Sequence, residues 1–277
     1  MIIDECHRGY TLDQEMTEAE MRFRSQADYM SSYRRALDHF DAVKIGLTAT
    51  PAQHTKEIFG APVFLYSYRE AVIDGCLVDH EPPFSIATAL SEEGMVWKKG
   101  EKMRRFDPRK QAADLVDVPD EVKIEIDAFN SRVITESWNR VVCEELAKHI
   151  DPASPTKTLV FCATDAHADI VVQQLKLAFT AVYGEVEDDA VIKITGSPTV
   201  DKPLQKIRQL KNERLPNVVV TVDLLTTGID VPKIGNIVFL RRVKSRILYE
   251  QMLGRATRLC PEIGKASLRE RSAATSP

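Results

Sequence analysis

The chain has 277 residues, 44% of them hydrophobic and 28% charged, with five cysteines and a net charge of −4 at pH 7. This composition suits a globular protein of two typical domains and excludes an overall basic protein, so any nucleic-acid binding would depend on local patches. Scattered cysteines without a C-x-x-C pair argue against zinc and disulfides, and the absence of a signal peptide or an apolar run of roughly 18 residues predicts a cytoplasmic protein without membrane contact.

The first part of the chain alternates short apolar runs with amphipathic stretches. Apolar residues recur at helical spacing from Met30 to Phe40, and the run from Val43 to Thr48 has the length of a buried strand. The pattern predicts a strand at 2–3, a helix over about 17–40, a strand over 43–48 and a helix over 68–74.

A segment in the middle of the chain departs from this alternation. Two consecutive prolines at 82–83 open a charged stretch that is punctuated by glycine. We interpret it as a connector with a β-hairpin between 84–90 and 95–99. Pro-Asp and Glu-x-Lys at 119–123 have the residue types of a nuclease site, but they overlap, and alternate residues of a strand point to opposite faces. A run of connector charges is therefore the preferred interpretation.

The second half alternates strands and helices regularly. A helix begins near Asp127, and its apolar face comprises Ile134, Trp138, Val141, Val142, Leu146 and Ile150. The predicted strands then cover 158–163, 191–195, 218–222 and 237–240, and the predicted helices cover 166–179, 203–214 and about 245–257. Strands separated by helices indicate a parallel sheet covered on both faces, in which functional groups gather at the carboxyl ends of the strands.

An acidic motif stands at the end of the first predicted strand. Asp4 and Glu5 follow the first apolar run directly, and such a strand end can present one carboxylate to a metal ion and another to an attacking water. Thr48 and Thr50 end the next predicted strand, where hydroxyls can bond the acidic motif or contact a phosphate. Taken singly, each pair also fits a solvated strand end or an ordinary turn.

Hydroxyls and glycines also end the strands of the second half. Two of these ends precede helices, whose exposed N–H groups and dipoles favour anions, including a nucleic-acid backbone. A third strand end leads into a run that contains Gly228 and Asp230. This run predicts a tight loop, which could contact both a nucleotide and a bound nucleic-acid strand. Helix capping and a simple glycine turn are the alternatives. The candidate nucleic-acid contacts are Thr164, Gly196, Thr226 and Thr227.

Four residues near the end of the chain form the strongest local pattern. Gln251, Gly254, Arg255 and Arg258 share one face if the predicted helix runs through them. Two arginines one turn apart can neutralise charge that develops on a γ-phosphate, whereas most arginine pairs belong to solvated helix faces. A glycine costs a helix about 1 kcal/mol relative to alanine, so a reason other than helix stability is expected for it.

Taken in order, the motifs resemble those of a superfamily 2 helicase or translocase. They are Asp-Glu-x-His from residue 4, Thr-Ala-Thr from residue 48, Thr-Thr-Gly-Ile-Asp from residue 226 and Gln-x-x-Gly-Arg-x-x-Arg from residue 251. The resemblance implies an α/β fold of the P-loop NTPase class, with tandem RecA-like domains on parallel sheets and the first domain incomplete. It implies bounds of 1–80 for the first domain, 81–126 for the connector, 127–265 for the second domain and 266–277 for a disordered tail.

The resemblance also implies roles for the matching positions, with ATP and Mg²⁺ as cofactors. Asp4 would help to hold Mg²⁺, and Glu5 would be the base for the attacking water. His7, Thr48 and Thr50 would couple the nucleotide to DNA, and Gly228 and Asp230 would link the bound nucleotide to domain closure. Gln251 would bind the cofactor, and Arg255 and Arg258 would face the γ-phosphate.

Stretches around and between the motifs are similar to the R subunit of type I restriction–modification enzymes. They are 4–10, 44–51, 68–72, 78–83 and 248–258. That family implies an ATP-driven translocase on double-stranded DNA, which carries a separate nuclease domain and works with methylase and specificity subunits. A different superfamily 2 DNA helicase and a catalytically inactive module that binds DNA or a subunit are the alternatives.

The sequence departs from the family pattern in three respects. It contains no G-x-x-x-x-G-K-[ST] phosphate loop, without which ATP binding and hydrolysis are expected to be severely impaired. The family's nuclease is also missing from it. Its last residues, from 266 on, lack an apolar pattern and are expected to be disordered or an artefact of the reading frame. We therefore expect a fragment truncated at both ends.

Overall fold

The computed structural model describes residues 1–6, 37–50, 53–86, 95–97, 102–107, 112–117, 122–124, 135–196, 200, 202–222, 230–243 and 246–266. The chain divides into two compact units. The first comprises Met1–Ala71 and Val243–Gln251, and the second comprises Val72–Arg242 and Met252–Pro277. The domain bounds expected from the sequence stay a prediction. Within the described ranges, no helix is long and apolar enough to cross a membrane.

The first unit contains a parallel pair of short strands, β1 (Ile2–Ile3) and β2 (Ile45–Gly46). The strand predicted over 43–48 is thus confirmed with shorter bounds. A short helix that the sequence pattern did not predict, α1 (Gln53–Phe59), follows β2. Of the helix predicted over 17–40, residues 37–39 are helical, and 7–36 lie outside the described residues.

The helix predicted over 68–74 is confirmed as α2 (Tyr68–Ile73). It begins with a capping box between Ser67 and Glu70. The Glu70 N–H donates to Ser67 Oγ over 3.2 Å, and the Ser67 N–H donates to Glu70 Oε2 over 2.7 Å. Both bonds satisfy donors that the start of a helix would otherwise leave without partners.

Two antiparallel strand pairs occupy the connector, and they correct the predicted hairpin. Strand β3 (Met95–Trp97) pairs with β6 (Val122–Ile124), and β4 (Lys102–Asp107) pairs with β5 (Ala112–Asp117). The hairpin between 84–90 and 95–99 is therefore wrong, since β3 takes its partner from the later segment. Residues 84–86 form no strand, and 87–90 lie outside the described residues. Two prolines just before 84 remove N–H donors that a ladder would need.

The predicted alternation in the second half is confirmed, and most ends shift by a few residues. The helix expected from near Asp127 begins at Glu136 in the structure, and residues 125–134, with Ile134 of its predicted apolar face, lie outside the described residues. The elements in chain order are α3 (Glu136–His149), β7 (Lys157–Phe161), α4 (Asp165–Tyr183), β8 (Val191–Lys193), α5 (Pro203–Asn212), β9 (Val218–Thr221), β10 (Ile234–Phe239) and α6 (Arg246–Leu253). The four strands form a parallel sheet with the order β10-β7-β9-β8.

Helices α3 and α4 pack together over one face of this sheet. Their apolar stripes meet alternate residues of the strands in one cluster, which includes Leu146, Val160 and Leu175. Val141 is an exception to the predicted apolar face of α3, since it is 50% exposed. On the other face, Phe161 is fully buried and its ring stacks on Phe239. The sheet is thus covered on both sides, as a parallel sheet requires.

A buried lysine ties the amino-terminal edge of the sheet together. Lys157, at the start of β7, donates from Nζ to the carbonyl oxygens of Glu213, Arg214 and Pro216 over 3.0, 3.2 and 2.7 Å. Burial lowers the pKa of Lys157 to about 8, while the three carbonyl oxygens favour its charged form. The side chain therefore fixes the segment that leads into β9.

Candidate functional site

The first candidate site lies at the carboxyl ends of β1 and β2. Ile3 pairs with Gly46, and the Leu47 N–H donates to the Ile3 carbonyl over 2.8 Å. Asp4 and Glu5 therefore leave the sheet beside the turn that carries Thr48. This turn is held by the Thr48 hydroxyl, whose Oγ1 accepts from the Thr50 N–H over 3.0 Å. The fold thus brings together the acidic motif and the threonine motif that the sequence singled out.

Glu5 has an unusual backbone conformation for a residue with a side chain. Its φ is +49°, in the left-handed region, which typically costs a non-glycine residue about 1 kcal/mol or more. The Glu5 N–H donates to Asp4 Oδ1 over 2.9 Å, and this bond supports the turn. The two side chains differ in exposure, since Asp4 is exposed and Glu5 is half-buried.

Cys6 anchors the acidic motif to the neighbouring strand. Its N–H donates to the Leu47 carbonyl over 3.0 Å, and its side chain is 1% exposed. A Cβ added at Gly46 would lie 2.9 Å from the Cys6 Sγ and 3.1 Å from the Phe59 ring. Gly46 is therefore needed for close packing. Burial raises the pKa of the Cys6 thiol, so it is an inert packing group.

The donor set suits magnesium better than a metal with an all-protein cage. In the part of the chain that the structure describes, no cluster of three or more His, Cys, Asp or Glu side chains could hold a metal ion. Magnesium keeps several waters and binds through one or two carboxylates together with substrate phosphates. One exposed carboxylate, Asp4, fits that demand. His7, predicted to couple nucleotide and DNA, lies outside the described residues.

The second candidate site lies at the carboxyl end of β7. Thr164 is the N-cap of α4, and its Oγ1 accepts from the His167 N–H over 3.1 Å. His167 is fully buried, and its Nδ1 accepts from the Ala163 N–H over 3.2 Å. Its Nε2 lies 2.9 Å from Asn139 Oδ1. The turn that carries Thr164 is thus tied to α3 through side chains.

A charged cluster lies at the carboxyl end of β8, which β9 separates from β7 in the sheet. Lys193 Nζ lies 3.0 Å from Asp165 Oδ2 and 2.6 Å from Asp169 Oδ1, and the Thr195 hydroxyl donates to Asp165 Oδ1 over 2.6 Å. Burial alone would lower the pKa of Lys193, but its bonds to the two carboxylates outweigh burial and raise it. Among the described residues, a methyl group added at the adjacent Gly196 would meet nothing within 4 Å, which leaves space for a ligand there.

The third candidate site joins Asp230 to two cations. Arg258 Nε lies 3.0 Å from Asp230 Oδ1, and Lys211 Nζ, at the end of α5, lies 3.5 Å from Oδ2. The structure therefore brings together two of the residues assigned to the nucleotide. Thr226, Thr227 and Gly228, from the same loop, lie outside the described residues.

The helix predicted over about 245–257 is too long, and this changes the last motif. Helix α6 ends at Leu253, so the prediction that Gln251 and Arg258 share one helical face is wrong. The Arg255 and Ala256 N–H groups bond the carbonyls three residues back, over 3.2 and 2.9 Å, which is a tight turn. The reason is Gly254, whose low helix propensity favours an end there. Gln251 lies on α6, and Arg255 lies in the turn.

Arg258 then continues in an extended segment of the second unit. It forms a bridge with Leu77, next to the bond from the Val78 N–H to the Thr257 carbonyl over 2.7 Å. The chain after α2 thus supports the backbone that carries Arg258. Sequence reasoning missed Lys211, Lys193, His167 and Asn139. A polar residue inside an apolar helical stripe, as at Asn139 and His167, was the available signal for two of them.

Comparisons with known proteins agree with this arrangement. Residues 139–260 match the model of the helicase conserved C-terminal domain. Over 273 residues the chain is 55% identical to the type I restriction enzyme EcoKI endonuclease subunit of Escherichia coli strain K12, a match that covers 97% of this chain and 23% of that protein. It is 27% identical to the EcoAI endonuclease subunit of Escherichia coli, covering 96% of this chain and 30% of the relative.

A solved structure shows the same fold. It is a fragment of an HsdR subunit of a type I restriction enzyme from Vibrio vulnificus YJ016, with a TM-score of 0.53 and 23% identity, and the match covers 85% of this chain and 40% of that one. The expected α/β architecture with a RecA-like helicase C-terminal domain is thereby confirmed. The chain spans less than a third of the length of either endonuclease subunit.

Proposed function

Since the chain is homologous to the endonuclease subunits of type I restriction enzymes and contains a helicase C-terminal domain, we propose that it is part of an ATP-driven motor that moves along double-stranded DNA. The observation that carries the proposal is the register of β1 and β2, which sets Asp4 and Glu5 beside Thr48. Hydrolysis of a magnesium nucleotide needs a metal-holding carboxylate and a second group that positions water, close together.

Within this proposal the two acids have different tasks. The exposed Asp4 would hold Mg²⁺, which would neutralise charge on the phosphates of ATP. The half-buried Glu5 orients the attacking water and accepts its proton. The difference in exposure supports this division, because Asp4 is open to a hydrated metal ion whereas Glu5 is half-buried. Thr48 and Thr50, together with His7, couple the state of the nucleotide to the contacts with DNA.

Two arginines supply the positive charge in this proposal. Arg255 and Arg258 stabilise the γ-phosphate during hydrolysis, as arginine fingers do. The ion pair between Arg258 and Asp230 supports this assignment. Asp230 orders the Arg258 guanidinium, and a phosphate can compete with Asp230 for it. Gly228 and Gln251 complete the nucleotide contacts in this proposal.

The proposed DNA contacts lie at strand ends of the second unit. Thr164 and Gly196 follow β7 and β8, and Thr226 and Thr227 belong to the loop after β9. In a type I restriction complex the partners are methylase and specificity subunits, and the place of action is the cytoplasm. We retain 1–80, 81–126 and 127–265 as the proposed bounds of the first domain, the connector and the second domain, with 266–277 as a tail.

A chimera tests the proposal. This chain replaces the matched segment of the EcoKI endonuclease subunit, and DNA-stimulated ATP hydrolysis is measured in the assembled complex. The wild-type chimera is expected to hydrolyse ATP, and Glu5→Gln is expected to lower turnover by at least about 10²-fold without loss of nucleotide binding. Glu136→Gln, on the exposed side of α3, is the matched control.

Two results would contradict the proposal. One is a chimera whose turnover is insensitive to Glu5→Gln. The other is strand separation by an otherwise active chimera, which would indicate a different superfamily 2 helicase. The 277-residue chain by itself is expected to hydrolyse little ATP, because its sequence contains no phosphate-loop motif.

A further inference from the structure

His167 makes more polar contacts than a packing residue in the core needs. It is fully buried on α4, yet both ring nitrogens and its backbone N–H take part in hydrogen bonds. The Ala163 N–H donates to Nδ1, so Nδ1 carries no proton. Nε2 therefore carries the proton and donates to Asn139 Oδ1. Asn139 in turn donates from Nδ2 to the Thr135 carbonyl over 2.8 Å.

These bonds act on one turn, the one that leads from β7 into α4. The ring of His167 holds the Ala163 peptide, and its N–H holds the Thr164 hydroxyl oxygen. The Cys162 N–H, just before them, donates to the Thr221 carbonyl over 2.8 Å. Among the described residues, the Thr164 hydroxyl donates no hydrogen bond, so its proton is available to a ligand. The turn is thus fixed on both sides of Thr164.

An apolar side chain could fill the same volume as His167, but it could not form these hydrogen bonds. Leucine at 167 would pack against the apolar side chains of α3 and α4, and it would leave the Ala163 N–H and the Asn139 carbonyl oxygen without their partner. A buried polar group that loses its partner is costly. Burial lowers the pKa of His167 to about 3, so the ring stays neutral and keeps one donor and one acceptor near pH 7.

We propose that His167 is a positioning residue for DNA, which orients the Ala163–Thr164 turn so that Thr164 can receive a phosphate of the duplex. This inference rests on the proposed function. Asn139 has a secondary part, since it fixes the ring plane from α3. Neither residue touches DNA itself.

Two substitutions separate the two halves of the network. In His167→Asn, the side-chain oxygen takes the place of Nδ1 and keeps the bond from Ala163, while the bond to Asn139 is lost. In His167→Gln, the side-chain nitrogen takes the place of Nε2 and keeps the bond to Asn139, while the bond from Ala163 is lost. Each variant thus keeps one bond, so a general loss of core packing affects both in a similar way.

The variants are compared in the EcoKI chimera by the DNA concentration that gives half-maximal ATP turnover and by turnover at saturating DNA. We expect His167→Gln to raise the half-saturating DNA concentration roughly tenfold, the effect of one lost hydrogen bond, with saturated turnover within about twofold of wild type. His167→Asn is expected to stay within about threefold in both. Melting temperatures of the 277-residue chain report the structural cost of each.

The outcomes distinguish this inference from the proposed function. Equal DNA dependence in both variants, or a loss of saturated turnover with unchanged half-saturation, would overturn the positioning role alone. A wild-type chimera without DNA-stimulated turnover would overturn the proposed function and this inference with it. Independently, ¹⁵N-histidine spectra of the 277-residue chain should show His167 as the neutral Nε2–H tautomer, and the Nδ1–H tautomer would refute the network.

Discussion

Arg258 Nε lies 3.0 Å from Asp230 Oδ1, and Lys211 approaches the other oxygen of the same carboxylate at 3.5 Å. The Asp230 side chain is 58% exposed, so water screens both pairs and their strength is modest. A nucleotide polyphosphate, with several negative charges, can therefore compete with Asp230 for the guanidinium. The pair orders Arg258 without trapping it.

Arg258→Ala is expected to remove ATP hydrolysis and to leave DNA binding largely intact. The loss in turnover of the EcoKI chimera should be about 10³-fold or more, since the variant removes positive charge at the γ-phosphate. Turnover and the dissociation constant for a DNA duplex are measured on the same samples. Arg140→Ala, an exposed arginine that pairs with Glu144 on α3, is the matched control and should change neither. Equal loss of both properties would mean that Arg258 serves DNA.

Gly46→Ala is expected to loosen the acidic motif. The added methyl would lie 2.9 Å from the Cys6 Sγ, closer than real contacts allow, so Cys6 or Phe59 must move. The rate at which a thiol reagent labels Cys6 in the native chain should rise about tenfold, or ~1.4 kcal/mol of easier local opening. Mass spectrometry measures this rate, with the exposed Cys76 as an internal reference.

Gly196→Ala is the control for Gly46→Ala, because its added methyl meets nothing within 4 Å. It should leave the labelling of Cys6 unchanged. If Gly46→Ala also leaves that rate unchanged, the packing of Cys6 on Gly46 does not fix the motif.

Much of the sheet could be predicted from the sequence, because alternating strands and helices leave few topologies. The pattern placed Thr164 and Gly196 at strand ends, and the structure has them there. The same logic put Asp4 and Thr48 at one edge, and the register of β1 and β2 confirms it. In a parallel sheet the carboxyl ends of all strands lie at the same edge, so residues that follow them share that edge whatever the order of the strands.

Contacts between distant residues could not be predicted in this way. Apolar periodicity reports which face of a helix is buried, but not which side chain lies opposite. His167 and Asn139 are 28 residues apart, and Lys157 reaches carbonyls 56 to 59 residues away. The end of α6 at Leu253 was missed for a related reason, since the pattern of apolar residues outlasts the helix.

Lys157→Met is expected to destabilise the second unit. Methionine keeps the length of the side chain, but it leaves the carbonyl oxygens of Glu213, Arg214 and Pro216 without their donor. Buried acceptors that lose a charged donor should lower the free energy of unfolding by about 2–4 kcal/mol. Urea denaturation measures it. Lys148→Met removes only an exposed ion pair with Glu145 and should cost less than about 1 kcal/mol. Equal costs would contradict a structural role for the Lys157 ammonium.

The buried ring of His167 should make the stability of the second unit depend on pH. Burial lowers its pKa from 6.5 to about 3, so below pH 6.5 the unfolded chain binds a proton that the folded chain does not. The contribution of the neutral ring is complete above pH 6.5 and is lost as the pH falls towards 3, by about 1.4 kcal/mol per pH unit. Between pH 7 and 5 the free energy of unfolding of the wild-type chain should therefore fall by about 2 kcal/mol more than that of His167→Asn, because asparagine does not titrate.

Urea denaturation of the wild type and His167→Asn at pH 7, 6 and 5 tests this expectation, since all other titrating groups are common to both chains. A difference between the wild type and His167→Asn that stays constant from pH 7 to 5 would show that the ring can take up a proton in the folded state. The bond from Ala163 to Nδ1 would then not hold the turn.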